Sequence, residues 1–249
     1  MKNLISIIIV FSISLALSYA QDAKEIVKKA DNKMEGEKSG YTEMKMTIKR
    51  PTYERTVEFK SWNEGRDNSM TYITSPAQEK GQAFMKMGNE MWSWNPNIGR
   101  MIKLPPSMMS QGWMGSDYTN DDILKESSIV KDYTHKILGE EDVAGQACYK
   151  IELIPFEESA VVWGKVMQWI SKDEFLQMKT EYYDEDNYLV RTELAYNIKE
   201  MDGRIIPTRF EIIPADKDNQ LTIIEMNVMK FNIPIAKGFF SQQNMKRIR

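Results

Sequence analysis

The side chains able to do covalent or metal chemistry are few. His135 is the only histidine and Cys148 the only cysteine of the 249 residues. A Ser-His-Asp or Cys-His site would have to be built around His135, which lies in the strand-like run DYTHKIL with no motif around a candidate serine. A partly exposed strand histidine is the expectation. Closed zinc sites take several nitrogen or sulfur ligands, so one His with one Cys predicts no metal. Cys148 falls in the alternating run CYKIELIP, a half-buried strand position, and a single cysteine excludes an internal disulfide. Two acidic clusters, Asp117 with Asp121 and Asp122, and Asp184 with Glu185 and Asp186, lack the oxygen spacing of an EF-hand loop. Turn and capping chemistry accounts for both. No glycine-rich loop has nucleotide-binding spacing. The residues therefore predict no catalytic set, no cofactor and a binding protein rather than an enzyme.

The elements that would position a binding site are legible from periodicity. Residues 22–34 place Ala23, Ile26, Val27, Ala30 and Met34 near one face at helical spacing, with lysines and acids opposite. From Tyr41 the period becomes two. Met44, Met46 and Ile48 alternate with Glu43, Lys45 and Thr47, and Val57 and Phe59 follow a break at Pro51. Further strands are predicted over 68–74, 81–87, 90–94, 100–104, 133–138, 147–154, 165–171, 176–183, 188–196, 204–213 and 221–231, separated by legible turn signals. Between the two groups, Thr119 or Asn120 can cap a short helix within 119–127, whose early acids suit its positive end. Roughly a dozen strands with one interposed helix fit one curved sheet better than two domains.

The ends and the charge narrow the setting. Lys2, an apolar core over 4–17, then Ser18, Tyr19 and Ala20 read as a cleavable signal peptide over residues 1–20, with an uncleaved anchor as the alternative. No cysteine follows that run, so the chain lacks a lipobox. Residues 21–249 would then form a single domain. A formal charge of -3 and a pI near 5.5 argue against a nucleic-acid partner.

The stretch from Phe84 to Leu124 is the most distinctive. It concentrates Met85, Met87, Met91, Trp92, Trp94, Leu104, Met108, Met109, Trp113 and Met114 in short strands and a loop whose Gly112, Gly115 and Ser116 suit turns. Pro105 and Pro106 end the last of these strands. Methionine is soft and rotatable, so such a segment suits varied apolar partners. An apolar, methionine-rich inward face, including Met167 and Trp169, is either a filled core or the wall of a cavity.

The same block carries a resemblance. A strand ending in MW-x-W-x-P, then a basic residue with LPP, a Met-rich loop and MGSDYTNDDI resembles the outer-membrane lipoprotein-sorting proteins, relatives of LolA. The resemblance implies a mainly β (α+β) fold. In it a curved antiparallel sheet forms an incomplete β-barrel, and an N-terminal helix and a short inserted helix cover an apolar cavity. Ligand-binding residues would be the Met/Trp set above with Met167 and Trp169. Pro96, Pro105, Gly115, Ser116 and Asp117 would form the structural motif, Asp117 fixing the loop before the short helix. The resemblance also implies a periplasmic protein carrying lipoprotein acyl chains or other lipid, with an inner-membrane transporter and an outer-membrane acceptor as partners; the oligomeric state is left open, a monomer being favoured. In the family an arginine fastens the lid, here the loop over 108–114 and the helix after it; Arg66 and Arg100 are equal candidates. The alternative is an interaction protein that docks onto an export or efflux transporter through its apolar loop.

Overall fold

A computed structural model describes residues 23–34, 38–124, 128–159 and 161–249; the expected signal segment lies outside them. The described residues form a helix α1 (23–34) and then thirteen strands and two further short helices. The first strands are β1 (Ser39–Arg50), β2 (Tyr53–Glu64), β3 (Asn68–Ser75), β4 (Ala83–Met87), β5 (Glu90–Asn95) and β6 (Arg100–Lys103). Two single 3-10 turns (Pro106–Met108, Trp113–Gly115) lead into helix α2 (Asn120–Leu124). Then come β7 (Tyr133–Val143), β8 (Gln146–Pro155), β9 (Lys165–Ser171), β10 (Gln177–Tyr183), β11 (Leu189–Met201), β12 (Arg204–Pro214), β13 (Leu221–Phe231) and helix α3 (Gln242–Met245). All strands share one sheet, ordered β6-β5-β4-β3-β2-β1-β13-β12-β11-β10-β9-β8-β7. Its ends β6 and β7 do not pair with each other, so this mainly β fold is an unclosed sheet, as expected of an incomplete barrel.

The residues fall into two compact units, the first containing 23–33 and 128–189, the second 34–124 and 190–249. In the first, Ala23, Ile26, Val27 and Ala30 of α1 are buried against Tyr133, Ile151, Leu153, Val166 and Ile170. The i, i+3, i+4, i+7 spacing read from the sequence is therefore the face that packs. β9 is buried on both faces. Its other side, Met167 and Trp169, packs with Cys148, Leu176 and Met178, and Trp169 Nε1 donates to Glu141 at 3.0 Å.

His135 is buried, not partly exposed as the strand pattern predicts, and Cys148 is buried among Met167, Trp169, Leu176 and Met178. His135 Nε2 lies 2.8 Å from the Ile129 carbonyl, which can only accept, so this nitrogen carries the proton. Burial, opposed by that hydrogen bond, lowers the imidazole pKa below its ordinary value. A depressed histidine pKa contributes stability above the unfolded value, near pH 6.5, that is lost as pH falls through the folded value. Urea titrations at stepped pH should show the unfolding midpoint of His135→Gln declining less steeply than wild type below pH 6.5.

The second unit is a meander whose two faces are covered differently. Met46, Ile48, Val57, Phe59, Ile73 and Met91 point to one face and form a core with Leu104 and Trp113. Met70, Tyr72, Ala83 and Met85 point to the other, with Trp62, Trp92 and Trp94 beside them. That second face is covered by the chain's own C-terminus, through Phe239, Phe240, Met245 and Ile248. Ser241 caps α3 there, accepting from the Asn244 amide at 3.3 Å.

Candidate functional site: a cavity closed by an arginine-bound segment

Within the second unit, the face carrying Met44 and Phe59 opens into a cavity of about 450 Å³, inside the usual size range for small-ligand sites. Strand register decides its walls. Met44 pairs with Phe59 and with Met226, so these apolar side chains stand side by side across β2, β1 and β13. Ile224, Met229 and Phe231 extend the wall along β13, and Met34 adds to it. Trp113, Tyr118, Asp122 and Ile123 close one end of the cavity.

That closing segment is tightly held. Trp113 stacks edge-on against Phe59 and Phe84, with ring centroids 5.5 Å apart in each case. The Trp113 amide donates to the Tyr118 carbonyl at 2.6 Å and the Asn120 amide to Gln111 at 2.9 Å, which ties the loop into a compact knot. A Cβ on Gly112 would sit 2.5 Å from the Ser116 carbonyl oxygen, so the knot closes only around glycine. Met114 adopts φ 52, a left-handed conformation unfavourable for its side chain, and Gly115 follows at φ 77. Such backbone persists where its surroundings over-determine it.

Three arginines supply that determination. Arg55 Nη1 donates to the Met114 carbonyl at 2.6 Å, and its other nitrogen pairs with Glu79. Arg50 donates to the Gly115 carbonyl at 2.8 Å and to Asp117 Oδ2 at 3.1 Å. Asp117 Oδ2 also accepts from Thr222 Oγ1 at 2.6 Å, fixing the segment to β13. Arg191, from β11, donates to Asp122 Oδ2 at 2.7 Å and lies 3.3 Å from Glu193, with its guanidinium 4.9 Å from the centre of the Tyr118 ring. Thr119 is the cap of α2: its hydroxyl accepts from the Asp122 amide at 3.0 Å, and the Asp122 carboxylate accepts the Thr119 amide at 2.8 Å in return.

The sequence-predicted residues separate into several places. Trp113 lines the cavity. Met91 and Leu104 are buried beside it in the same core, with Met109 and Met114 packed against them. Met108 is half-buried, and its carbonyl accepts from Asn120 Nδ2 at 2.9 Å. Met85, Trp92 and Trp94 are on the opposite face under the C-terminal tail, and Met87 is exposed. Met167 and Trp169 are in the core of the first unit. Of the motif residues, Asp117, Gly115 and Ser116 belong to the arginine-bound knot, Pro105 accepts from the Met108 amide at 3.0 Å, and Pro96 accepts from the Gly99 amide at 3.3 Å in the turn between β5 and β6. Arg66 lines the cavity, whereas Arg100 is exposed on β6. Arg50, Arg55 and Arg191 hold the segment. A sequence signal existed for Arg191: with Glu193 and Ala195 it occupies alternate positions of one strand, placing a charge on a face that also carries a buried alanine.

This fold recurs in solved structures. The chain is similar to a LolA superfamily protein from Nitrosomonas europaea, at 26% identity and a TM-score of 0.73 over 89% of this chain and 98% of the other. Residues 65–247 also match a family model described as an uncharacterized protein. The chain belongs to the family of that model, and its fold is LolA-like. The same fold appears in an outer membrane lipoprotein-sorting protein domain from Vibrio parahaemolyticus, at 20% identity and a TM-score of 0.77, covering 92% of this chain and 100% of that one. A DUF1329 family protein from Desulfovibrio piger shares it at 22% identity and a TM-score of 0.81, over 91% and 99% of the two chains. No curated protein matches the LolA-like chain.

Proposed function

We propose that this LolA-like protein is a periplasmic carrier that shields acyl chains of lipoproteins or other lipids in the cavity of the second unit, for sorting to the outer membrane. The observation that carries this reading is the wall of Met44, Phe59, Ile224 and Met226 under a segment closed by Trp113. Burying an acyl chain gains about 0.8 kcal/mol per methylene, so a groove of this kind binds without any reaction. Its relatives' names, a LolA superfamily protein and a lipoprotein-sorting domain, point the same way. Cargo release then corresponds to loosening the contacts of Arg50, Arg55 and Arg191, since a state that binds less tightly has to be populated for handover.

Docking onto a transporter through an exposed Met/Trp loop is less well supported. Trp113 is buried and Met109 and Met114 are packed into the core, so the loop's apolar side chains are already occupied. Native mass spectrometry and solvent extraction of the protein purified from a periplasmic fraction should reveal co-purified lipid at near-stoichiometric amounts. Repeatedly empty preparations that also fail to take up an acyl-chain probe would remove the carrier reading.

A further inference from the structure

Trp113 carries a polar atom that the rest of the chain leaves unused. The residue is 6% exposed and part of the cavity wall, yet its indole Nε1 is shielded from water and has no hydrogen-bond partner among the described residues. An indole N–H can only donate, and a buried one normally finds an acceptor. The carbonyls nearest to it along the chain are already taken. Its own accepts from the Ser116 amide, that of Met114 from Arg55 and that of Gly115 from Arg50. A buried donor left without a partner costs free energy, which an acceptor bound beside it recovers.

Strand register shows what stands below the indole. Phe59 on β2 and Phe84 on β4 are two strands apart, about 10 Å across β3. With its ring 5.5 Å from each, Trp113 rests over the β3 residues between them, Ile73 and Thr71. Thr71 belongs to a row that runs Met229, Thr42, Ser61, Thr71, Phe84 from β13 to β4. The apolar ends of this row enclose three hydroxyls, and Thr42, Ser61 and Thr71 all line the cavity. The Ser61 and Thr71 oxygens are 3.1 Å apart, so one hydroxyl hydrogen lies between them and the pair keeps the other for a third partner. The indole N–H and this hydroxyl are uncharged donors in the wall of one cavity. Its charged lining residues are engaged elsewhere, Asp122 with Arg191 at 2.7 Å, and Arg66 and Lys86 in interactions of their own.

We infer that the cargo is an uncharged acyl ester or amide whose carbonyl oxygen enters the cavity and accepts from Trp113 Nε1 and from the Ser61–Thr71 pair, with Thr42 beside them. A carbonyl oxygen has two lone pairs and can take both donors at once. A carboxylate would bring its charge to donors that carry none, at a desolvation cost they do not repay. This rests on the carrier reading for the chain and adds to it the polar group that is recognised and the residues that recognise it.

The test compares three competitors of a fluorescent acyl probe on the full chain: monopalmitoylglycerol, its ether analogue 1-O-hexadecylglycerol, which keeps chain and head but lacks the carbonyl, and palmitate. The ester should bind about tenfold more tightly than the ether, the size expected of one to two hydrogen bonds, and more tightly than palmitate. Ser61→Ala/Thr71→Val should lower the ester-to-ether ratio by about threefold, and Ser61→Thr/Thr71→Ser should preserve it; thermal unfolding establishes that each variant is folded. In nitrogen-edited spectra the Trp113 Nε1–H signal, assigned by its absence from Trp113→Phe, should move downfield further with the ester than with the ether. Equal affinity for ester and ether, with both binding, overturns the inference and leaves the carrier reading standing, as does a Trp113 signal that responds alike to the two. Tighter binding of palmitate than of the ester overturns the uncharged class, and a ratio unchanged in Ser61→Ala/Thr71→Val overturns the site. Failure of the probe and of all three lipids to bind removes the carrier reading as well.

Discussion

Arg191→Met should destabilise the protein by about 3 to 5 kcal/mol, the loss that follows when one partner of a buried ion pair is removed. The Arg191 and Asp122 side chains are only 7% and 9% exposed, and the guanidinium also faces Glu193 at 3.3 Å. Without it two carboxylates are left together in a poorly solvated place. Thr119 continues to donate to Asp122, but those bonds belong to the helix cap and do not replace the cation. Chemical denaturation of the four proteins in a cycle, wild type, Arg191→Met, Asp122→Asn and the double variant, measures this. The double variant should recover part of the single loss, because a neutral amide keeps an acceptor for the cap while removing one stranded charge. Additive losses in the cycle would mean that the pair is not coupled and that α2 is held by other contacts.

Trp113→Ala is the second large effect. The indole is buried, meets Phe59 and Phe84 edge-on, and belongs to the core that includes Met46, Val57 and Ile73. Large-to-small truncation of such an aromatic costs about 3 to 5 kcal/mol. It also removes the closing side chain of the cavity, so the same variant should release an acyl-chain probe faster while its association rate changes little. Stopped-flow dissociation of the probe reads this directly. Trp113→Phe, which keeps an aromatic surface with less volume, should fall between the two for both stability and release. If Trp113→Ala unfolds more easily yet releases the probe at the wild-type rate, Trp113 is core and not a closure.

Much of the architecture follows from local pattern. The predicted stretches 165–171 and 221–231 coincide with β9 and β13, since half-buried antiparallel strands alternate visibly and their turns carry Gly, Asn and Asp. Prediction falls short where strands run into polar ends. β7 continues to Val143 through Gly139, Glu140 and Glu141, and β11 to Met201 through Lys199 and Glu200, where ladder pairing persists without an apolar face. Period also cannot decide which face of β4 and β5 encloses a ligand. Met85, Trp92 and Trp94 are the more hydrophobic set, yet Phe239, Phe240, Met245 and Ile248 cover them from the far end of the chain. The cavity lies on the mixed face, where Lys86 alternates with Met85. The fastening residues were hidden for a similar reason. Arg50 and Arg55 flank a β-turn as ordinary surface cations would, and their targets are backbone carbonyls of Met114 and Gly115, which no side-chain pattern announces.

Carriage of lipid requires an acyl chain to occupy the cavity between β13, β1, β2 and the closing segment. Photo-crosslinking with a diazirine-bearing fatty acid, followed by peptide mapping, tests it most directly. Labels are expected on peptides containing Met44, Phe59, Ile123 and Met226, with labelling suppressed by excess unlabelled lipid. Saturable labelling confined to the peptides of Met85, Trp92 and Trp94, or to the C-terminal tail that covers them, would place the ligand on the other face and rule out occupancy of this cavity.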